Sequence, residues 1–126
     1  MSILFLYLTA FSRTGGIEKF NRAFLKALQE ISLNERYELR TISLGDKVPD
    51  KRYIDQILFW GSNGMKTRFV TETLLRGLNA DLIMLGHINL APLGLIIKML
   101  KKNVSVVLVT HGIEVWNNLS WVKKKC

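Results

Sequence analysis

The chain has 126 residues, 48% of them hydrophobic and 22% charged, which excludes a disordered or fibrous protein and allows one packed domain but not two. The formal net charge of +8 admits an anionic partner, but the basic residues are spread along the chain without aromatic interleaving, and nucleic acid is not expected. The one cysteine, Cys126, permits no internal disulfide.

Residues 3–8 form a continuous apolar run, as expected of a central strand in a parallel sheet covered on both faces. No basic stretch precedes it and no small-residue cleavage site follows, so it is read as a strand and not as a signal peptide. After Gly15-Gly16 the period changes. Phe20, Ala23, Phe24, Ala27, Leu28 and Ile31 recur at three- and four-residue spacing, which predicts a helix from about 16 to 31 packed through that stripe. Residues 37–44 read as a second strand and 45–51 as a turn-rich loop. Residues 54–60 fit either a short edge strand or a hydrophobic loop. A helix over 66–78 should follow, with Phe69, Leu74, Leu75 and Leu78 on its apolar face.

The window 80–100 is long enough to span a bilayer, but Asp81, His87, Asn89, Pro92 and Lys98 lie within it. It resolves better into a strand over 82–85, a Gly86-His87 turn and a helix over 90–101, with Pro92 in the first turn where a missing amide hydrogen costs little. A strand over 105–110 closes the pattern. Strands alternating with helices in this order predict an α/β fold, a doubly wound Rossmann-like parallel sheet whose ligands gather at the carboxyl ends of the strands.

Three strand-end loops carry the residues suited to chemistry. Gly15 and Gly16 lie between the first strand and the first helix, where glycines permit close approach and free helix-start amides can hold a phosphate or a sugar hydroxyl. The loop lacks the third glycine of the dinucleotide fingerprint and the Gly-Lys-Ser/Thr of a phosphate loop, and a plain tight turn is the alternative. His87 and Asn89 follow the 82–85 strand, although a lone histidine near an apolar segment is more often structural than catalytic. His111, Gly112 and Glu114 follow the last strand, where His111 and Glu114 would serve proton transfer or hydroxyl binding; the alternative is a loop anchored by Trp116. Two histidines and no interior cysteine predict no metal site, and no cofactor is expected.

Taken together, residues 15–21, the Ala80-Asp81-Leu82-Ile83 strand leading to His87, and residues 109–116 resemble glycosyltransferase family 4 over nearly the whole chain. The resemblance implies a GT-B fold, two Rossmann-like domains facing across a cleft. It also implies retaining transfer from a nucleotide-sugar donor without a metal, to a glycan or lipid-linked acceptor in polysaccharide synthesis. It places Gly15, Gly16 and Glu18 against the donor diphosphate or the acceptor, and His87 with Asn89 beside the acceptor pocket. His111 falls at the catalytic position near the transferred sugar, flanked by Gly112 and Glu114. By the same resemblance the chain corresponds to the N-terminal, acceptor-side half. The donor-binding half, expected as a separate or downstream partner, is not in this sequence, and the chain alone is expected to be inactive. A cytoplasmic location is expected, and the basic charge leaves contact with the inner face of a membrane open.

Overall fold

A strand with no polar alternation needs cover on both faces, and the first strand, β1 (Ser2–Tyr7), has it. In the computed structural model, which describes residues 1–11 and 15–109, β1 is the middle of five parallel strands. The others are β2 (Glu38–Ser43), β3 (Phe59–Gly61), β4 (Leu82–Leu85) and β5 (Ser105–Leu108), in the order β3-β2-β1-β4-β5. Three helices connect them: α1 (Gly16–Glu35), α2 (Lys66–Gly77) and α3 (Ala91–Leu100). The fold is α/β and Rossmann-like.

Side-chain alternation along β1 divides the core in two. Leu4 and Leu6 join Ile42, Ile83 and Leu85 of the neighbouring strands beneath Phe69 of α2 and Ile97 of α3. Ile3, Phe5 and Tyr7 join Leu39 beneath Leu25 and Leu28 of α1, with Ile54 completing the layer. Residues 54–60, which fitted either a strand or a loop, are divided between the two. A single 3₁₀ turn, Gln56–Leu58, leads into the three-residue strand β3, paired with β2 through Thr41, Ile42 and Ser43.

The face that α1 turns inward differs from the expected stripe. Asn21, Leu25, Leu28 and Ser32 are buried, whereas Phe20, Ala23, Ala27 and Ile31 are exposed. The cause is polar. Asn21 Nδ2 donates to Thr9 O at 2.9 Å and Ser32 Oγ to Gln29 O at 2.9 Å, so both side chains enter the interior with hydrogen-bond partners that hydropathy does not register. The helix ends four residues later than its apolar period, at Arg36 in the left-handed region (φ 59°), where the Tyr37 N–H returns to Ser32 O. In α2 the buried set is Phe69, Thr73 and Gly77, while Leu75 and Leu78 of the expected face are exposed. Gly77 is small because Ile97 packs against it, and a Cβ there would lie 2.7 Å from Ile97 Cδ1. Among the described residues no helix is long and apolar enough to cross a membrane.

Tyr7 is completely buried at the end of β1, and among the described residues its hydroxyl has no partner of full hydrogen-bond geometry. Burial pushes the phenol pKa far above its usual value. The neighbouring Thr41 side chain, whose own proton goes to Leu58 O at 3.0 Å, offsets this only in part, and the negative Asp46 adds to the rise. Above about pH 10 the unfolded chain therefore releases a proton that the folded chain keeps, and stability is lost as the pH climbs from there. Tyr7→Phe is expected to leave neutral-pH stability unchanged or raise it by about 1 kcal/mol, and to flatten the alkaline loss. Urea unfolding at neutral and strongly alkaline pH checks this, and an equal alkaline loss in both proteins would contradict it.

Candidate functional site at the carboxyl edge of the sheet

The strand order reverses between β1 and β4: successive strands step toward β3 on one side and toward β5 on the other. Loops leaving β1 and β4 therefore diverge over a crevice, the place where open parallel sheets take their ligands. The two strands end side by side, with Leu6 opposite Leu85. Gly86 is pressed onto β1, its N–H donating to Leu6 O at 2.7 Å, and a Cβ on it would lie 3.0 Å from that oxygen and 3.1 Å from Tyr7 Cβ. Only glycine lets the β4 loop start so close to its neighbour.

Residues 9–11, which follow β1, are fixed from the other side by a residue that belongs to no motif in the sequence. Asp46, buried in the turn after β2, accepts from Ala10 N at 2.7 Å, Phe11 N at 3.0 Å and Ser43 Oγ at 2.7 Å. Its own N–H donates to Ser43 Oγ at 3.0 Å, and its carbonyl accepts from Asn63 N at 3.1 Å in the turn after β3. One aspartate thus joins the loops that follow β1, β2 and β3. From α1, Asn21 holds Thr9 O and Arg22 Nη1 donates to Ala10 O at 2.8 Å. Residues 9–11 are held at four points by side chains that local patterning does not associate with them.

The two glycines at the start of α1 have different reasons. Gly15 is extended, and a Cβ there would meet Glu18 Oε1 at 2.6 Å, so its smallness makes room for the Glu18 carboxylate. Gly16 has nothing within 4 Å of a would-be Cβ and is exposed, so the described fold does not require a glycine there. Glu18 accepts from Thr9 Oγ1 at 2.5 Å and lies half-buried in the first turn of α1, where the positive end of a 20-residue helix favours a carboxylate. His87 accepts from Asn89 N through Nδ1 at 3.1 Å, capping the 3₁₀ turn Ile88–Leu90 that precedes α3. That bond fixes the ring by its Nδ1, and Nε2 is the nitrogen that carries the proton when the imidazole is neutral.

The topology therefore brings Gly15, Gly16 and Glu18 to the same sheet edge as His87 and Asn89. His111, Gly112, Glu114 and Trp116 lie outside the described residues. Val109, whose N–H donates to Leu85 O at 2.8 Å, carries the chain to that same edge. No protein-family model, curated protein or solved structure matches the chain. Among the described residues there is no group of three or more histidine, cysteine or acidic side chains placed to hold a metal ion.

The chemistry of the edge is asymmetric. A diphosphate approaching Gly16 would meet the helix-start amides but also the Glu18 carboxylate, which repels it. A sugar hydroxyl would meet an acceptor in Glu18, with donors in the helix-start amides. The arrangement is better suited to a neutral polyhydroxylated ligand than to a nucleotide diphosphate.

Proposed function

We propose that this chain is the acceptor-side domain of a retaining nucleotide-sugar glycosyltransferase of GT-B type, transferring a sugar to a glycan or lipid-linked acceptor. The observation that carries the reading is the Glu18 carboxylate packed beside Gly15 at the start of α1, next to Gly16 in the chain and at the carboxyl edge of the sheet, a hydroxyl-accepting group where a sugar can approach the backbone. The resemblance of residues 15–21, 80–87 and 109–116 to glycosyltransferase family 4 supports it.

In this reading the acceptor lies between Gly16 and His87. Glu18 and Asn89 orient its hydroxyls, and His111, flanked by Gly112 and Glu114, steadies charge near the transferred sugar. Donor binding belongs mainly to a second Rossmann-like domain, because the Glu18 carboxylate disfavours a diphosphate here. Closure of two domains would also exclude water and strengthen each electrostatic contact. No metal or cofactor is assigned to the reaction. Contact with an anionic membrane surface is part of the proposal where the acceptor is lipid-linked.

The test is transfer of labelled sugar from a panel of nucleotide sugars, with the chain combined with a family 4 donor-binding domain. Transfer by the pair and not by either part is expected, and His111→Ala should lower turnover by about 10²-fold while sparing donor affinity. No transfer with any donor, or an unchanged rate in the variant, would count against the assignment.

A further inference from the structure

On the other side of the β1–α1 loop from the crevice, the segment after β2 folds over α1 and encloses a second concavity of about 490 Å³. Phe11 and Tyr53 form aromatic walls, their ring centroids 6.4 Å apart, and Arg22, Lys47, Asp50 and Arg52 supply the charge. The guanidinium carbons of Arg52 and Arg22 lie 5.5 Å and 6.0 Å from the Tyr53 ring centroid, so two cations gather on one aromatic side chain.

The balance of charge in this pocket is positive. The Asp46 carboxylate at its base already accepts from Ala10 N, Phe11 N and Ser43 Oγ, which leaves little of it facing the cavity. Asp50 is held by Arg52 through Nε and Nη2, at 3.1 Å and 2.7 Å to Oδ2, and both arginines lower the Asp50 carboxyl below its usual pKa. A carboxylate is thus already held by the Arg52 guanidinium, so this side of the pocket accepts an oxyanion. That pair is largely exposed and weak, so exchanging it for an incoming anion costs little. Lys47 is exposed at the rim with no ion pair among the described residues. Among the described residues Arg22 commits only Nη1 to a hydrogen bond, to Ala10 O.

We propose that this pocket binds a phosphate or carboxylate carried on a ligand of about monosaccharide size, with Lys47, Arg22 and Arg52 holding the oxyanion and Phe11 and Tyr53 walling the carbon skeleton. A concavity of this size, with aromatic walls and a few convergent charged groups, has the make-up of a small-ligand site. The site lies on the β2 side of β1, away from the β4 loop, and does not depend on the glycosyltransferase reading. Arg22 connects the two regions, since the side chain that would hold the anion also holds residue 10 of the loop that leads to Gly16.

Calorimetric titration of the 126-residue chain with glucose 1-phosphate, inorganic phosphate, glucuronate and glucose tests the proposal, with amide chemical shifts locating the site. Saturable binding of glucose 1-phosphate at low salt is expected, with shifts concentrated at residues 22 and 47–53, weakening as salt rises. Lys47→Ala should weaken it by about fivefold without changing the melting temperature, and Arg52→Gln should act in the same direction. Glucuronate matching the sugar phosphate supports the site and shows that a carboxylate serves as well as a phosphate, whereas inorganic phosphate binding as tightly as the sugar phosphate overturns the role of the aromatic walls. Glucose binding as well as its phosphate, affinity unchanged in both variants, or no saturable binding of any anion overturns it. None of these titrations involves a donor or a transfer step, so failure here and failure of the transfer assay are separate results.

Discussion

Asp46→Ala is expected to cost about 3–5 kcal/mol of folding stability, because it strands two backbone N–H groups and a buried hydroxyl at once. Ala10 is fully buried and Phe11 partly so, so their amides cannot fully turn to water when the carboxylate is removed. The Ser43 hydroxyl has a second acceptor in Leu8 O at 3.2 Å and loses less. A domain of this size has only about 5–15 kcal/mol in total, so the variant should be close to unfolding under mild conditions. Ser43→Ala removes one arm of the same cluster and should cost about 1 kcal/mol, while Asp46→Asn keeps one acceptor oxygen and falls between the two. Urea unfolding with an unchanged dependence on denaturant is the check. A loss below about 1 kcal/mol for Asp46→Ala would mean that water or a shifted loop replaces the carboxylate without penalty.

The second large effect is on function alone. Gly16→Leu places a side chain into open space at the first position of a long helix, where leucine is the better helix former, so folding stability should hold or rise slightly. The same side chain fills the approach to the helix-start amides and to Glu18. Displacing a bound sugar by about 1 Å is enough to lower transfer by about 10²-fold, and that loss is the expected result. Thermal melting of the variant, and transfer by the same preparation combined with the donor-binding domain, separate the two effects. A variant that melts lower and transfers normally would mean that Gly16 serves the fold and not a ligand.

These two residues mark what the sequence discloses and what it withholds. The strand β1, the change of period after Gly15-Gly16 and the Gly86-His87 turn are legible because each rests on neighbouring residues: an unbroken apolar run, a helical spacing, a glycine at a strand end. Hydropathy also foretells α1 and turns Phe24 and Leu28 correctly to the core, but it misplaces the rest of the inward face. Asn21 and Ser32 count as polar until their partners, Thr9 O and Gln29 O, are known, and the alanines and Ile31 count as core although they are exposed. The strand β3 is three residues long, too short to show a period. Asp46 was illegible for a further reason. In sequence it is one more aspartate in a turn, and its partners Ala10 and Phe11 are 36 and 35 residues away. The signal that would have exposed it is a serine ending a strand three residues before an aspartate, as in Ser43 and Asp46, but that spacing also marks ordinary turns. In the sequence the charged pocket shows only as Lys47, Lys51 and Arg52 close together, because Phe11 and Arg22 reach it from other elements.

Residues 9–11 form a partition held by hydrogen bonds from Asp46, Asn21 and Arg22, with the crevice on one side and the cationic cavity on the other. A site held by packed side chains with hydrogen-bond partners of their own keeps its geometry when a ligand arrives.

The central claim is that the β1–β4 edge receives a sugar and not a nucleotide diphosphate. The most direct measurement is amide chemical-shift mapping of the isotope-labelled chain titrated in parallel with a neutral oligosaccharide panel and with nucleotide sugars. Shifts at Gly15, Gly16, Glu18, His87 and Asn89 with at least one oligosaccharide, and none of comparable size there with the nucleotide sugars, are the predicted result. Tight nucleotide-sugar binding centred on Gly16, or oligosaccharide shifts confined to other parts of the surface, would contradict it.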